Sequence, residues 1–200
     1  MNEVLVCFRS SIVSSVDGKV FFDDVIWRKI SKRLMLVQRS QAEHNPKLKQ
    51  LCVYILFKLG ERFLVYERGE TQKEERLRGK LTLGIGGHVN SGDYLLNKPM
   101  VEGDLAFVIN AVKREISEEV KTPSRGAPPK LICFINDDSV PVDRDHFGLV
   151  WIIELGTPEI KAVDEGVKIV GFYTLPELKK MRPKFEYWSQ FLIDYLAEKS

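Results

Sequence analysis

Three carboxylates, Glu115, Glu118 and Glu119, are crowded into the stretch Arg114-Glu115-Ile116-Ser117-Glu118-Glu119. On a helix, spacings of i, i+3 and i+4 put them on one side, within a turn of each other. Like charges this close repel, and a carboxylate facing apolar surroundings is costly, so something positive is expected beside them. Either a metal ion or a basic side chain would serve. An all-oxygen donor set suits a hard ion such as Mg²⁺ or Mn²⁺, and Mg²⁺ typically takes one or two carboxylates, keeps waters and bridges to substrate phosphates. The competing reading is a solvated helix face in which Arg114 and Glu118 form an i, i+4 ion pair.

The helix itself is legible. Between Leu105 and Lys121, apolar residues at Leu105, Val108, Ile109, Val112, Ile116 and Val120 recur at three- and four-residue steps, the pattern of a helix with one face on a core. At about 100° per residue from Leu105, the apolar stripe runs from roughly 300° through 40°. Glu115 then falls near 280°, Glu118 near 220° and Glu119 near 320°, so Glu119 is expected inside the buried arc. Upstream, Gly84, Gly86, Gly87 and Gly92 leave backbone room and N–H groups where a phosphate or the helix could approach. His88 follows Gly86 and Gly87 directly and is a candidate for contact with substrate or metal. Arg68, Arg76, Arg78 and Lys80 lie just ahead of the loop, either as phosphate-gripping cations or as a charged connector.

Gly87, then Asp93, then Arg114-Glu115-Ile116-Ser117-Glu118-Glu119 resembles the box that defines the Nudix superfamily. Three positions depart from it. Asp93 stands where the box has Glu, twenty residues from Tyr94 to Lys113 stand where it has seven, and Lys121 replaces a late Gly. A longer loop is thermodynamically cheap and need not break the site. Asp93, Glu102 and Asp104 remain alternatives for the first acidic position. Phrases such as KQLCVYILF, ERLRGKLTLGIGGHVNSGD, INDDSVPVDRDHFGLVW and FEYWSQFL extend the resemblance over nearly the whole chain, toward a bacterial branch of MutT-like phosphoesterases.

The resemblance implies an α+β fold of the Nudix kind, an α/β/α sandwich around a mixed β-sheet. It also implies hydrolysis of a diphosphate linkage in a nucleoside diphosphate derivative or similar phosphorylated metabolite. Glu115, Glu118 and Glu119 would hold Mg²⁺ or Mn²⁺, water would be the nucleophile, and Arg114 would orient a carboxylate. Gly86, Gly87, His88 and Arg78 would contact the substrate. The general base varies within the superfamily; Glu165 is a candidate here. Two rivals use the same fold: a module that senses a nucleotide without hydrolysing it, and an isomerase needing an acid/base pair aimed at an alkene. The retained glutamates favour hydrolysis.

The elements that must position these residues follow in order. Residues 1–48 form an N-terminal extension with a strand at Val4 to Phe8, a turn at Asp17-Gly18, and a helix or strand around Val25 to Leu36. Its basic cluster of Arg28, Lys29, Lys32, Arg33 and Arg39 reads as a solvated face ahead of a phosphate-binding one, and Phe21, Phe22 and Trp27 as core ahead of a base-stacking platform. Leu51 to Leu59, Gly60-Glu61 and Arg62 to Arg68 read as a β-hairpin, followed by a strand at Leu81 to Ile85. Residues 94–104 are the insertion before the helix. Pro123 stops the helix, and strands at Leu131 to Ile135, His146 to Leu155 and Val167 to Tyr173 come after. Thr174 with Glu177 and Pro176 is a capping-box signature for a helix to about Met181, ahead of a last amphipathic helix through Phe185, Trp188, Phe191, Leu192, Tyr195 and Leu196.

With 200 residues, 44% hydrophobic and 29% charged, one domain spanning 1–200 is expected. A net charge of +2 is too mild to indicate a DNA, RNA or membrane surface. A small phosphorylated partner is expected, and a homodimer is compatible with the resemblance. Cys7, Cys52 and Cys133 are odd in number and lack metal spacing, so buried thiols in a reducing compartment are expected. His44, His88 and His146 suggest no histidine metal centre. The N-terminus lacks the basic start and cleavage site of a signal segment, which points to the cytoplasm.

Overall fold

A computed structural model describes residues 3–12, 20–43, 45–69, 77–96, 103–122, 127–139, 144–163 and 166–199. Glu102, Glu165, His44, Arg76, Pro123 and the Asp17-Gly18 turn lie outside the described residues. The elements in chain order are β1 (Glu3–Phe8), β2 (Val20–Phe21), α1 (Asp24–Ser31), β3 (Met35–Gln38), α2 (Arg39–Ala42), β4 (Leu48–Leu59), β5 (Arg62–Arg68), β6 (Leu81–Thr82) and β7 (Gly84–Ile85). There follow α3 (Ser91–Leu96), α4 (Ala106–Glu119), β8 (Val120–Lys121), β9 (Lys130–Ile135), β10 (His146–Glu154), β11 (Lys161–Ala162), β12 (Val167–Thr174), α5 (Leu175–Met181) and α6 (Tyr187–Glu198). Most strand pairings are antiparallel, and a parallel bridge joins Leu81 to Phe185. The fold is α+β.

The chain forms two compact units whose division falls within β4, α4, β9 and β10. The first holds Met1–Tyr54, Gly86–Arg114 and Leu131–Val150. In it β1 pairs with β3 and with the start of β4, so the N-terminal segment contributes a strand of its own. The segment left as helix or strand is both in turn: α1, then β3. Asp23 caps α1 by accepting from the N–H groups of Val25 and Ile26 at 2.8 and 3.1 Å. Ile26, Trp27 and Ile30 are buried, while Arg28, Lys29, Lys32 and Arg33 are exposed, the solvated face that charge patterning favours. Trp27 and Phe22 each stack on Phe134, at 5.9 and 5.8 Å between ring centroids, and Phe21 tilts against it at 5.7 Å. These rings therefore pack on the protein itself.

The second unit holds Ile55–Ile85, Glu115–Lys130 and Trp151–Ser200. The β4–β5 hairpin closes over Gly60-Glu61, with Gly60 at φ +55°, and pairs Leu59 with Arg62. The stretch expected as one strand at Leu81 to Ile85 is two. β6 pairs with β5 and β7 with β4, the change of partner falling at Leu83. Thr174 and Glu177 make the expected capping box, Glu177 Oε2 accepting from the Thr174 N–H at 2.7 Å and hydroxyl at 2.8 Å. Among the described residues, no helix is long and apolar enough to cross a membrane.

Candidate active site

Helix α4 begins one residue later than the periodicity predicts and ends two earlier. Val120 and Lys121 leave it to form β8, antiparallel to β11, and the N–H of Val163 donates to the Glu119 carbonyl at 2.8 Å. This pairing ends the helix without the late Gly. Its buried face also differs from expectation. Phe107, Val108, Ala111 and Val112 are fully buried, whereas Leu105, Ile109 and Ile116 are only half-buried. Counting Phe107 and Ala111 moves the centre of the buried arc to about 270°. Glu115 therefore lies at its centre, 6% exposed; Glu119 is half-buried, with its Oε2 shielded from solvent, and Glu118 is exposed. Glu119, expected inside the buried arc, is there in part, and Glu115 is buried more deeply, because small and aromatic residues outside the aliphatic count widen the stripe.

Arg114 takes part in a planar clamp within the first unit. Its Nε donates to Asp93 Oδ1 at 3.1 Å and its Nη2 to Asp93 Oδ2 at 2.9 Å; Nη2 also donates to the His88 carbonyl at 2.9 Å. Asp93 is 3% exposed. It further accepts from the Asn90 N–H at 3.0 Å, while Asn90 Oδ1 accepts from the Asp93 N–H at 3.0 Å, a reciprocal cap on α3. Of the two described alternatives for the first acidic position, Asp93 is thus the carboxylate that meets Arg114. Asp104 instead caps α4, accepting from the Ala106 N–H at 2.9 Å. Fork-to-fork pairing of this kind is strong and directional. Asp93→Ala removes the carboxylate from a partly buried guanidinium and uncaps α3, and is expected to destabilise by about 2–4 kcal/mol. Chemical denaturation should rank Asp93→Asn between wild type and Asp93→Ala; a loss below about 0.5 kcal/mol for alanine would mean that the clamp is incidental.

The glycine loop is shaped by close approach. Gly86 has φ +153°, and a Cβ there would stand 2.0 Å from the Val53 carbonyl oxygen. That contact accompanies a short ladder in which Val53 N–H donates to the Gly87 carbonyl and Val89 N–H to the Leu51 carbonyl, both at 2.9 Å, with a bridge between Cys52 and His88. The His88 ring faces His146, Nε2 to Nε2 at 3.2 Å. Burial, then the proximity of His146, Arg39 and Arg114, pushes the His88 pKa down to about 3, so the ring is neutral at ordinary pH. Arg78 is exposed in the second unit's turn before β6, where Gly79 N–H donates to the Arg68 carbonyl at 2.9 Å. Elsewhere in that unit a cleft of about 550 Å³ is lined by Lys58, Phe63, Ile152, Pro176 and Leu196, none of them a predicted site residue.

All three cysteines are buried and none is in a disulfide. Cys7 and Cys133 are pushed up to about 12 by burial. Cys52, His88 and His146, not grouped by the sequence reading, bring potential ligand atoms within 4.8 Å of one another. Sequence reasoning missed this because the three lie far apart in the chain with none of the short spacings that mark metal sites.

The chain is 31% identical over 168 residues to protein YmaB of Bacillus subtilis, a match that covers 80% of this chain and 77% of the relative. No family model matches. Among solved structures, Tm1382, assigned to the Nudix hydrolases, superposes with a TM-score of 0.77 over 99% of this chain and all of its own, at 21% identity. The chain belongs to the same family as YmaB, and its fold is that of the Nudix structures. A second Nudix structure, the domain of Shewanella oneidensis NrtR complexed with ADP ribose, matches at TM-score 0.54 and 12% identity, over 76% of this chain and 88% of its own. The mixed sheet and the helix bearing Arg114 and the three glutamates are accordingly elements of a Nudix fold.

Proposed function

We propose that the protein is a metal-dependent hydrolase of diphosphate linkages in nucleoside diphosphate derivatives or related phosphorylated metabolites. The observation that carries this reading is the graded set of carboxylates on α4: Glu115 buried, Glu119 half-buried, Glu118 exposed. An all-oxygen set with one arm in solvent fits a hard ion that keeps part of its water shell, Mg²⁺ or Mn²⁺. Glu118 and Glu119 would hold it directly and Glu115 from the buried side. When bound, such an ion neutralises charge on the bridging phosphates and acidifies a water.

The chain's own residues do the rest. Arg114 is committed to Asp93, so its part is to orient the helix rather than to touch phosphate. Gly86 and Gly87 would admit a phosphate close to the backbone. His88, being neutral, would offer a hydrogen bond and not a cation. Arg78, exposed, would supply the positive charge. The ADP ribose bound to the NrtR domain supports a nucleotide-like ligand class.

The test is phosphate or nucleotide release from a panel of nucleoside diphosphate sugars, dinucleoside polyphosphates and nucleoside triphosphates, with Mg²⁺, with Mn²⁺ and after chelation. Turnover of at least one compound that stops on chelation and returns with either ion is expected. Tight binding of a panel member with no turnover under any condition would convert the reading to a sensor.

A further inference from the structure

We propose that Cys52, His88 and His146 form a second metal site, for a thiophilic ion of the Zn²⁺ class, separate in chemistry from the carboxylates of α4. All three belong to the first unit and come from different segments: the middle of β4, the loop after β7, and the first residue of β10. Their candidate ligand atoms lie within 4.8 Å of one another. The two imidazole Nε2 atoms are 3.2 Å apart. Two nitrogens sharing a tetrahedral zinc at ordinary bond lengths are separated by about 3.3 Å, so the spacing of the two rings already matches a shared ion, which they would reach by turning their nitrogens away from each other.

One thiolate and two imidazoles are soft-to-borderline donors, a set that discriminates against Mg²⁺ and favours zinc. Both histidines are half-buried and Cys52 is buried; three protein ligands would leave a tetrahedral ion one position for water or an outside ligand. The backbones bearing the ligands are pinned. The Cys52–His88 bridge is flanked on both sides by ladder hydrogen bonds; Arg114 donates to the His88 carbonyl at 2.9 Å, and Lys49 Nζ to the His146 carbonyl at 3.3 Å. Such outer partners hold ligands in place at little cost on binding.

The experiment uses the reduced full chain, stripped by chelation and titrated anaerobically with Co²⁺ as a spectroscopic substitute for Zn²⁺. One equivalent is expected to produce a thiolate-to-cobalt charge-transfer band and the strong visible absorption of a tetrahedral centre. One equivalent of Zn²⁺ should bleach both, and excess Mg²⁺ should leave them unchanged. Cys52→Ser should abolish the charge-transfer band despite the remaining Cys7 and Cys133, and His146→Gln should weaken binding at least about tenfold. No band, a band that persists in Cys52→Ser, or one displaced by Mg²⁺ would overturn the proposal; the first would leave the two rings as a hydrogen-bonded pair. X-ray absorption at the zinc edge of the zinc-loaded wild-type protein, expected to show one sulfur and two imidazole neighbours, tests the ligand set even if the variants fold poorly; a shell of oxygens alone would overturn it. None of these readouts depends on hydrolysis.

Discussion

Under the proposed function, Glu118→Gln and Glu119→Gln are each expected to lower kcat/KM by about 10²- to 10³-fold, since several kcal/mol of transition-state charge stabilisation would depend on the ion they are proposed to hold. Glutamine keeps the volume and one oxygen but loses the charge, so the helix should remain intact. The two variants should share a second signature, a raised Mg²⁺ requirement with partial recovery at high concentration. Glu118 is exposed and Glu119 half-buried. Glu115→Gln should behave differently. At 6% exposure its carboxylate sits in the centre of the packed face, so neutralising it would relieve a desolvation cost while removing one charge from the proposed ligand set. A smaller change in Mg²⁺ requirement and a measurable change in melting temperature are expected. Magnesium titrations of the three variants, run beside thermal melts, separate these outcomes. If turnover is unchanged in both Glu118→Gln and Glu119→Gln, the carboxylates are a solvated face after all and the hydrolase reading fails.

What could be read ahead of the structure was what local chemistry decides. Thr174 and Glu177 form a capping box because the residues that satisfy the orphan N–H groups are three apart. The β4–β5 hairpin follows from two apolar arms around Gly60-Glu61. The carboxylates share a side of α4 because helical spacing leaves no alternative. What escaped depended on partners remote in sequence. Val120 and Lys121 continue the helical periodicity, yet β11 offers them a strand partner and they take it. The orientation of α4 turned on Phe107 and Ala111; Phe107 meets Tyr94 edge-on at 5.3 Å, a contact no periodicity announces. Cys52, His88 and His146 are the extreme case. Each alone reads as an ordinary buried thiol or a structural histidine, and only the bridging of β4 to the glycine loop makes a cluster of them.

Gly86→Ala is expected to be the most damaging single-methyl change in the first unit, costing about 3–5 kcal/mol and lowering the melting temperature by about 10–15 °C. Two effects add. The backbone at φ +153° lies where side chains other than glycine's are strained, at about 1–3 kcal/mol. The new Cβ would also overlap the Val53 carbonyl oxygen, 2.0 Å away, with the Val53 carbonyl carbon at 2.9 Å. The obstacle is main chain, so no rotamer change relieves it. Either β4 or the loop must move, and the ladder bonds from Val53 to Gly87 and from Val89 to Leu51 run through the point of overlap. Gly60→Ala isolates the first effect: its φ is +55°, but nothing lies within 4 Å of the added Cβ, so about 1–2 kcal/mol is expected. A Gly86→Ala protein that melts with Gly60→Ala, and not well below it, would show that the loop sits further from β4 than the 2.0 Å overlap requires. If the loop does shift, the bridge from Cys52 to His88 shifts with it. Cobalt binding by the folded fraction of Gly86→Ala should then weaken, although none of the three proposed ligands has been changed.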